Sequence, residues 1–219
     1  MSECNPCSLP IEPKSTSASF MKGDKFVGPY RELIGSLLYL AYVSRPDVLF
    51  AVNCLSQIQK NPTDVAWCAL KKLLRYLKGT QAFKIEYKRN ITKESNLSMY
   101  VDADWVSNPK DRKSITGYVI MYCNNPILWR CNKQNCIALS STEAEVLALC
   151  KGVQDLLPLT NFINEIIKVD NIIIFEDNQS CIKCVTNENS HGRLKHIDIK
   201  LKYIRNAITE NDIKVSYIL

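Results

Sequence analysis

The chain has 219 residues and a formal net charge of +6, and 46% of its residues are hydrophobic. This length allows one domain, or one domain with a helical extension, and the apolar fraction suffices for a packed core. The chain contains no run of eighteen apolar residues, and its polar start, MSECNPCSLP, does not look like a signal peptide. We therefore expect an intracellular, cytoplasmic protein with no membrane partner.

The ten cysteines do not have the distribution of a disulfide scaffold. Several lie inside apolar patterns typical of helices, and without an export signal we expect them to be reduced and buried. Cys4–Cys7 and Cys181–Cys184 have the CxxC spacing of zinc sites. Two interpretations follow: a zinc site built from both pairs, or thiols of Cys181 and Cys184 that face the core from one helix.

The positive charge is unevenly distributed along the chain. Residues 1–96 contain 14 Lys and Arg against 8 Asp and Glu, whereas residues 97–219 contain 14 of each kind. The basic excess therefore belongs to the N-terminal part. It is compatible with a surface that contacts a polyanion such as a nucleic acid, and equally with ordinary solubility charge.

The N-terminal third predicts a lead-in followed by helices. Residues 1–28 are rich in Pro, Ser, Lys and Gly and have no apolar period, so they predict a flexible segment. Thr63 is suited to cap a helix and Gly79 to end it. Apolar residues at helical spacing predict three helices, over 29–43, 47–59 and 64–78.

The pattern then changes to a mixture of strands and helices. Alternating or short apolar runs predict strands at 83–88, 97–102, 115–123, 126–130, 172–175 and 213–219. Helical spacing predicts helices at 141–157, 160–168, 178–186 and 195–209. Pro158 is expected to end or kink the first of these helices. The order indicates an α/β fold, a mixed sheet flanked by helices.

Three acidic residues lie where separate elements end or begin. Asp102 closes the alternating run of YVDADW, Glu145 lies in the first turns of the helix of SSTEAEVLAL, and Asp177 ends the strand of IIIFEDNQS. Glu143 is roughly 200° away from Glu145 around a helix axis, and Glu176 faces away from Asp177 in a strand. One member of each pair can therefore face a given site. Converging carboxylates bind Mg²⁺, although taken singly each could be an ordinary surface group.

These segments resemble the C-terminal part of the Pol polyprotein of copia-type LTR retrotransposons. The matching segments keep the family's order over residues 29–219, and they are YRELIGSLLYLAYVSRPDVLFAV, ALKKLLRYLKGT, YVDADW, DRKSITGYV, LSSTEAE, EDNQS and HGRLKHIDIKLKYIR. The resemblance implies that residues 29–80 are a helical connection that follows a reverse transcriptase. It also implies that residues 81–219 form a ribonuclease H-like domain, truncated at its C-terminus.

The resemblance implies an activity, which is hydrolysis of the RNA strand of an RNA–DNA hybrid. The family's metal ligands fall on Asp102, Glu145 and Asp177, which would hold two Mg²⁺ ions. The hybrid and an upstream reverse transcriptase are the implied partners. We expect nucleic-acid contacts at Lys133, Ser141, Asn178, Arg193, Lys195 and His196, although the last three also suit a solvated helix start.

Two departures from the family bear on activity. The family continues into a segment with a fourth carboxylate, whereas this chain stops at Leu219, so we expect impaired catalysis and weakly held metal. Residues 129–134 replace a segment that is usually richer in Ser and Lys. Three other interpretations remain: a non-catalytic nucleic-acid-binding remnant, a decayed fragment, and a polymerase site, because YVDAD resembles the YxDD turn although Ala103 separates its two aspartates.

Overall fold

The computed structural model describes residues 4–89, 94–106, 111–187 and 197–218. Contacts between residues divide the chain into two compact units. The first combines Met1–Ile85 with Asn108–Asp111, and the second combines Glu86–Ser107 with Arg112–Leu219. The second unit contains all three of the acidic residues singled out above.

The first unit is built on three helices, which are α1 (Tyr30–Val43), α2 (Leu49–Ser56) and α3 (Asp64–Gly79). All three predicted helices are therefore present, although α2 is shorter than expected and is preceded by a 3-10 turn at Pro46–Val48. Thr63 caps α3 as predicted, because its hydroxyl oxygen accepts a hydrogen bond from the amide of Ala66 at 3.1 Å. The buried faces of these helices form the core of this unit, with Ile34, Val52, Leu55, Leu70 and Leu73.

Residues 4–28 contact α3 at several points. The amide of Cys7 donates to the carbonyl of Arg75 at 3.3 Å, and Phe26 stacks on Trp67 with 4.4 Å between ring centroids. Phe20 is buried, at 7% exposure. The described part of the lead-in therefore contributes packing to the first unit.

The break between α1 and α2 holds an ion pair with a buried arginine. Arg45, which is 8% exposed, donates through Nε and Nη2 to the two carboxylate oxygens of Asp47 at 2.8 and 2.7 Å. The Tyr76 hydroxyl donates to the same carboxylate at 2.9 Å, and Arg45 also donates to the carbonyl of Thr80 at 3.2 Å. These hydrogen bonds connect the SRPD turn, residues 44–47, to the C-terminal end of α3.

The second unit contains a five-stranded mixed sheet. Its strands are β1 (Asn96–Asp104), β2 (Ile115–Tyr122), β3 (Asn125–Lys133), β4 (Asn171–Glu176) and β5 (Ile213–Tyr217). They lie in the order β3-β2-β1-β4-β5. The pairs β1–β2 and β2–β3 are antiparallel, and the pairs β1–β4 and β4–β5 are parallel. This order and these directions are those of a ribonuclease H-like sheet, so the predicted fold class is confirmed.

Three helices accompany the sheet, α4 (Ser141–Asn164), α5 (Gln179–Thr186) and α6 (Asp198–Glu210). Helix α4 packs on β1 and β2 around a core that includes Leu97, Met99, Ile120, Leu149, Val153, Ile174 and Ile204. Within the described residues, α4 alone is long and apolar enough to cross a membrane, but 56% of that stretch is buried inside the protein. Its apolar character is therefore explained by its place in the core.

The predicted strand at 83–88 is wrong, because residues 83–89 form no strand. Instead, the side-chain amide of Asn125 bonds both backbone groups of Lys88. Its oxygen accepts from the Lys88 amide at 2.7 Å, and its nitrogen donates to the Lys88 carbonyl at 3.0 Å. A side chain at the start of β3 thus satisfies polar groups that a neighbouring strand would otherwise bond.

Of the two effects expected at Pro158, an end or a kink of the helix, the end is wrong, and the kink stays a prediction. Helix α4 continues through Pro158 to Asn164 and absorbs most of the separate helix expected at 160–168. Leu156 and Thr160 are both buried, and the Thr160 hydroxyl donates to the Leu156 carbonyl at 2.9 Å. Packing on both sides of the proline outweighs the single hydrogen bond that its missing N–H removes.

Candidate active site

Three carboxylates converge where β1 and β4 end and α4 begins. One oxygen each of Asp102, Glu145 and Asp177 lies within 4.8 Å of the other two. Because β1 and β4 are parallel neighbours, their carboxyl ends meet at the same edge of the sheet. Three carboxylate oxygens at this spacing form an arrangement that can hold a divalent cation.

Alternation along β1 separates Asp102 from the core. Val101 and Ala103 are buried on either side of it, whereas Asp102 is exposed. Asp102 pairs across the strands with Gly117, where an added Cβ would meet no heavy atom within 4 Å. The surface beside Asp102 is therefore open.

Capping of α4 decides between Glu143 and Glu145. Both are buried, at 3% and 5% exposure. The Glu143 carboxylate accepts a hydrogen bond from the amide of Leu139 at 2.7 Å, and the Glu143 amide donates to the Ser140 hydroxyl at 3.1 Å. Glu143 thus belongs to the helix cap, and Glu145 remains for the cluster. The Ser-x-x-Glu pattern of a capping box in LSSTEAE would have identified this division in advance.

The cluster is electrostatically unfavourable without a cation. Burial raises the pKa of Glu145 to about 9, and the charges of Glu176, Asp102 and Asp177 act in the same direction, against a backbone hydrogen bond at Ala103. Although the Asp102 residue is exposed, its carboxylate is partly desolvated beside the sheet, and this desolvation and the charge of Asp177 raise its pKa. Like charges in a poorly solvated place favour the uptake of protons or of a metal ion.

A fourth carboxyl group, Glu176, also lies at this site, although the sequence reasoning preferred its neighbour. Glu176 is fully buried, and this burial raises its pKa to about 8. The charges of Asp177 and Asp102 also raise the pKa, and a backbone hydrogen bond from Asn178 lowers it. Its Oε1 accepts from the Asn178 amide at 3.2 Å. The alternation of Ile172, Ile174 and Glu176 in β4 was the available signal, because it places an acid on a buried face.

Comparison with known proteins identifies the family. No family model matches the chain. The retrovirus-related Pol polyprotein from transposon RE2 of Arabidopsis thaliana is 36% identical over 224 residues, which cover 100% of this chain and 15% of that protein. The corresponding polyprotein from transposon TNT 1-94 of Nicotiana tabacum is 34% identical over 195 residues, which cover 89% of this chain and 14% of that protein. The chain belongs to the Pol polyproteins of copia-type transposons.

The family resemblance predicted from the ordered motifs is thereby confirmed. The chain spans about one-seventh of the length of these Pol polyproteins. Among solved structures, a ribonuclease H1 isolated from compost covers 56% of this chain and 84% of its own at 13% identity, with a TM-score of 0.46. That likeness is weak, and the assignment of a ribonuclease H-like domain rests on strand order and family membership.

Within this Pol chain, the expected nucleic-acid residues occupy different environments. Lys133 ends β3 and lines a cavity of about 420 Å³ together with Lys151 and Lys200. Ser141 is exposed at the first position of α4, and the Asn178 side chain accepts from the Cys181 amide at 3.0 Å as the cap of α5. Nucleic-acid contacts at these three positions stay predictions. The other three expected residues lie outside the described residues, and they are Arg193, Lys195 and His196.

The cysteines of this Pol chain favour the core-facing interpretation. Cys181 is fully buried in the core of the second unit, and Cys184 packs against that core. Of the His, Cys, Asp and Glu side chains in the described ranges, only the three carboxylates above bring three ligand atoms together.

Proposed function

We propose that this chain is the ribonuclease H-type part of a transposon Pol polyprotein, that it hydrolyses the RNA strand of RNA–DNA hybrids, and that Mg²⁺ is its cofactor. The convergence of Asp102, Glu145 and Asp177 within 4.8 Å carries the proposal. Membership of the Pol family and the mixed sheet support it. The hybrid would be recognised through its backbone shape and 2′-hydroxyl groups rather than through its base sequence.

The residues present fit a divalent cation. Glu145 is 5% exposed, and its Oε2 has no hydrogen-bond partner among the described residues. A buried acceptor without a partner costs about 1–3 kcal/mol, and more when it is charged. A cation would satisfy this oxygen and offset the repulsion between the carboxylates. The donor set consists of oxygen atoms alone, which suits Mg²⁺ or Mn²⁺ better than softer metals.

Each carboxylate has its own task in this proposal. Bound Mg²⁺ ions, two in the proposed mechanism, would lower the pKa of the attacking water and stabilise the charge on the phosphate and the leaving oxygen. Asp102 and Asp177 are exposed and face the side from which a nucleic acid can approach. Glu145 binds from the buried side, in the first turns of α4. None of these residues forms a covalent bond to the substrate.

The proposal extends to the organisation and setting of the chain. Residues 1–28 are assigned to the lead-in, 29–80 to a connection that follows the reverse transcriptase, and 81–219 to the ribonuclease H-type domain. The hybrid and the upstream reverse transcriptase are the proposed partners, and the cytoplasm is the proposed location. The proposed nucleic-acid contacts are Lys133, Ser141, Asn178, Arg193, Lys195 and His196.

A second candidate function is hybrid binding without turnover. The three carboxylates that converge within 4.8 Å offer few ligands for two Mg²⁺ ions, each of which demands octahedral coordination. A site that holds its second ion weakly would retain the nucleic-acid surface and lose the reaction. Such binding would weaken steeply as the salt concentration rises, because phosphate contacts release counterions.

The deciding experiment combines cleavage and binding of a labelled RNA–DNA hybrid by the purified chain in Mg²⁺ or Mn²⁺. We expect cleavage by the wild type that falls at least about a hundredfold in Asp102→Asn and in Glu145→Gln, because each removes a proposed metal ligand. Glu210→Gln, which changes an exposed acid at the end of α6, is the control and should leave cleavage unchanged.

Three other outcomes separate the alternatives. Salt-dependent binding without cleavage would establish the second candidate function. Cleavage that survives in Asp102→Asn would show that the site is assigned to the wrong residues. A wild-type chain that neither binds nor cleaves the hybrid at low salt would overturn both functions.

A further inference from the structure

Glu176 occupies a position that ordinary packing does not explain. It ends β4 on the strand's buried face, following Ile172 and Ile174, and it is fully buried. One of its oxygens, Oε1, accepts from the amide of Asn178 at 3.2 Å. The other, Oε2, has no hydrogen-bond partner among the described residues. Buried carboxyl groups are normally paired, hydrogen-bonded or bound to a metal ion, so the free oxygen requires a ligand.

Glu145 is in the same condition on the facing helix. Its Oε2 is likewise buried and without a partner in the described part of the chain. After burial, the charge of Glu176 is the largest cause that raises the pKa of Glu145, which places the two carboxyl groups close together. The charges of Asp177 and Asp102 act on Glu176 in turn. Glu176 therefore lies near the three convergent carboxylates, outside the group whose oxygens lie within 4.8 Å of one another.

Within the described residues, no positively charged side chain acts on this pair. Among the described groups, those that act on Glu145 or Glu176 are acids or backbone hydrogen bonds, and none is a lysine or an arginine. The remaining titratable neighbour is the thiol of Cys181, which is fully buried and is acted on by both glutamates. Two buried carboxyl groups, each with an oxygen that has no partner among the described residues, form a site that suits a positive ion.

We propose that Glu176 is a fourth metal-facing carboxylate of this site, and that it binds a divalent cation together with Glu145 from the buried side of the cluster. This inference rests on the proposed function, since it concerns the same metal site. It assigns a ligand role to a residue outside the convergent set of Asp102, Glu145 and Asp177. A glutamate retained only for stability would instead have donors for both of its oxygens.

The test has two parts. Isothermal titration calorimetry measures the Kd of the whole chain for Mn²⁺, and thermal unfolding in EDTA measures the Tm of the metal-free protein. Glu176→Gln keeps the size of the side chain and the acceptor for the Asn178 amide, and its new amide can donate to the free oxygen of Glu145. We expect the Kd for Mn²⁺ to rise at least about tenfold, as losses around metal sites commonly do. The metal-free Tm should equal that of the wild type or exceed it.

Glu143→Gln is the matched control, because Glu143 is equally buried and the substitution removes the same charge, but its carboxylate already accepts from Leu139. Its Kd for Mn²⁺ should stay within about twofold of the wild type. Two results would overturn the inference. In the first, Glu176→Gln binds Mn²⁺ as tightly as the wild type does. In the second, Glu176→Gln lowers the metal-free Tm, and its Kd for Mn²⁺ rises no more than the Kd of Glu143→Gln. A wild-type chain that binds no Mn²⁺ overturns the proposed metal site itself, and this outcome appears before any variant is compared.

Discussion

The buried side chain of Gln134 donates a hydrogen bond to the carbonyl of Ala144 at 2.9 Å, directly before Glu145 in α4. The same amide nitrogen donates to the Thr116 hydroxyl at 3.0 Å, so one residue joins β2 to the first turns of α4. Gln134 is 8% exposed, which protects both bonds from water. The helix that carries Glu145 is thereby fixed to the sheet that carries Asp102.

Replacing Gln134 by Ala should destabilise the second unit. The substitution leaves the Ala144 carbonyl and the Thr116 hydroxyl without this donor, and the expected loss in free energy of unfolding is about 1–3 kcal/mol. Urea denaturation monitored by circular dichroism measures it. Gln154→Ala is the control, because Gln154 is exposed on α4, and its effect on the free energy of unfolding should stay within about 0.5 kcal/mol. Equal effects of the two substitutions would contradict the role given to Gln134.

The buried glutamates predict a pH dependence of the metal-free protein. Burial raises the pKa of Glu145 and Glu176 from 4.5 to about 9 and about 8. The folded state therefore holds more protons than the unfolded state between these values. The stability linked to these protons is complete below about pH 4.5 and is lost as the pH rises through 8 and 9.

Differential scanning calorimetry in EDTA checks this sign. The Tm of the wild type should fall between pH 5 and pH 9 relative to the Tm of the double variant Glu145→Gln/Glu176→Gln, in which neither group titrates. Saturating Mn²⁺ should reduce the fall, because the cation binds the ionised carboxylates and stabilises the folded state. A wild-type Tm that rises with pH relative to the double variant would contradict the prediction.

Gly152 allows α4 to approach β1 at Met99. A Cβ added to Gly152 would lie 2.7 Å from the Met99 sulfur, and Met99 is fully buried. Gly152→Ala should therefore cost about 1–2 kcal/mol, because overpacking outweighs the gain of about 1 kcal/mol in helix propensity. In a Met99→Ala background the same substitution should be stabilising, since the sulfur is gone. Thermal unfolding of the wild type, the two single variants and the double variant measures the effect of Gly152→Ala in both backgrounds. An equal effect in the two backgrounds would contradict the prediction.

The ion pair between Arg45 and Asp47 should matter more than ion pairs on the surface. Asp47→Asn leaves the Arg45 guanidinium buried without its counter-charge, at an expected cost of about 2–3 kcal/mol, less than for a fully buried pair because the Asp47 side chain is 32% exposed. The comparison is Glu12→Gln, which breaks the surface pair with Lys72 and should cost less than about 1 kcal/mol. Urea denaturation of both variants tests the order. A larger loss for Glu12→Gln would contradict it.

Local patterns were sufficient for most of the elements. The alternation that predicted a strand at 97–102 and the helical spacing that predicted helices at 64–78 and 178–186 correspond to β1, α3 and α5 within a few residues. These patterns succeed because a strand or helix with one buried face repeats its apolar residues at the period of its backbone. The same rule failed at 83–88. There the Asn125 side chain bonds the backbone of Lys88, and such a contact leaves no periodic pattern in the sequence.

For the candidate site, too, the sequence determined some features and the tertiary structure decided others. The motifs of the sequence by themselves selected Asp102, Glu145 and Asp177 and the family to which the chain belongs, because motif order and residue chemistry are properties of the chain alone. Only the tertiary structure decided that Gln134 holds α4 to the sheet and that α4 passes through Pro158. Only the tertiary structure, too, placed Glu176 beside the cluster, because burial and the lack of a partner for an oxygen depend on what distant segments bring to it.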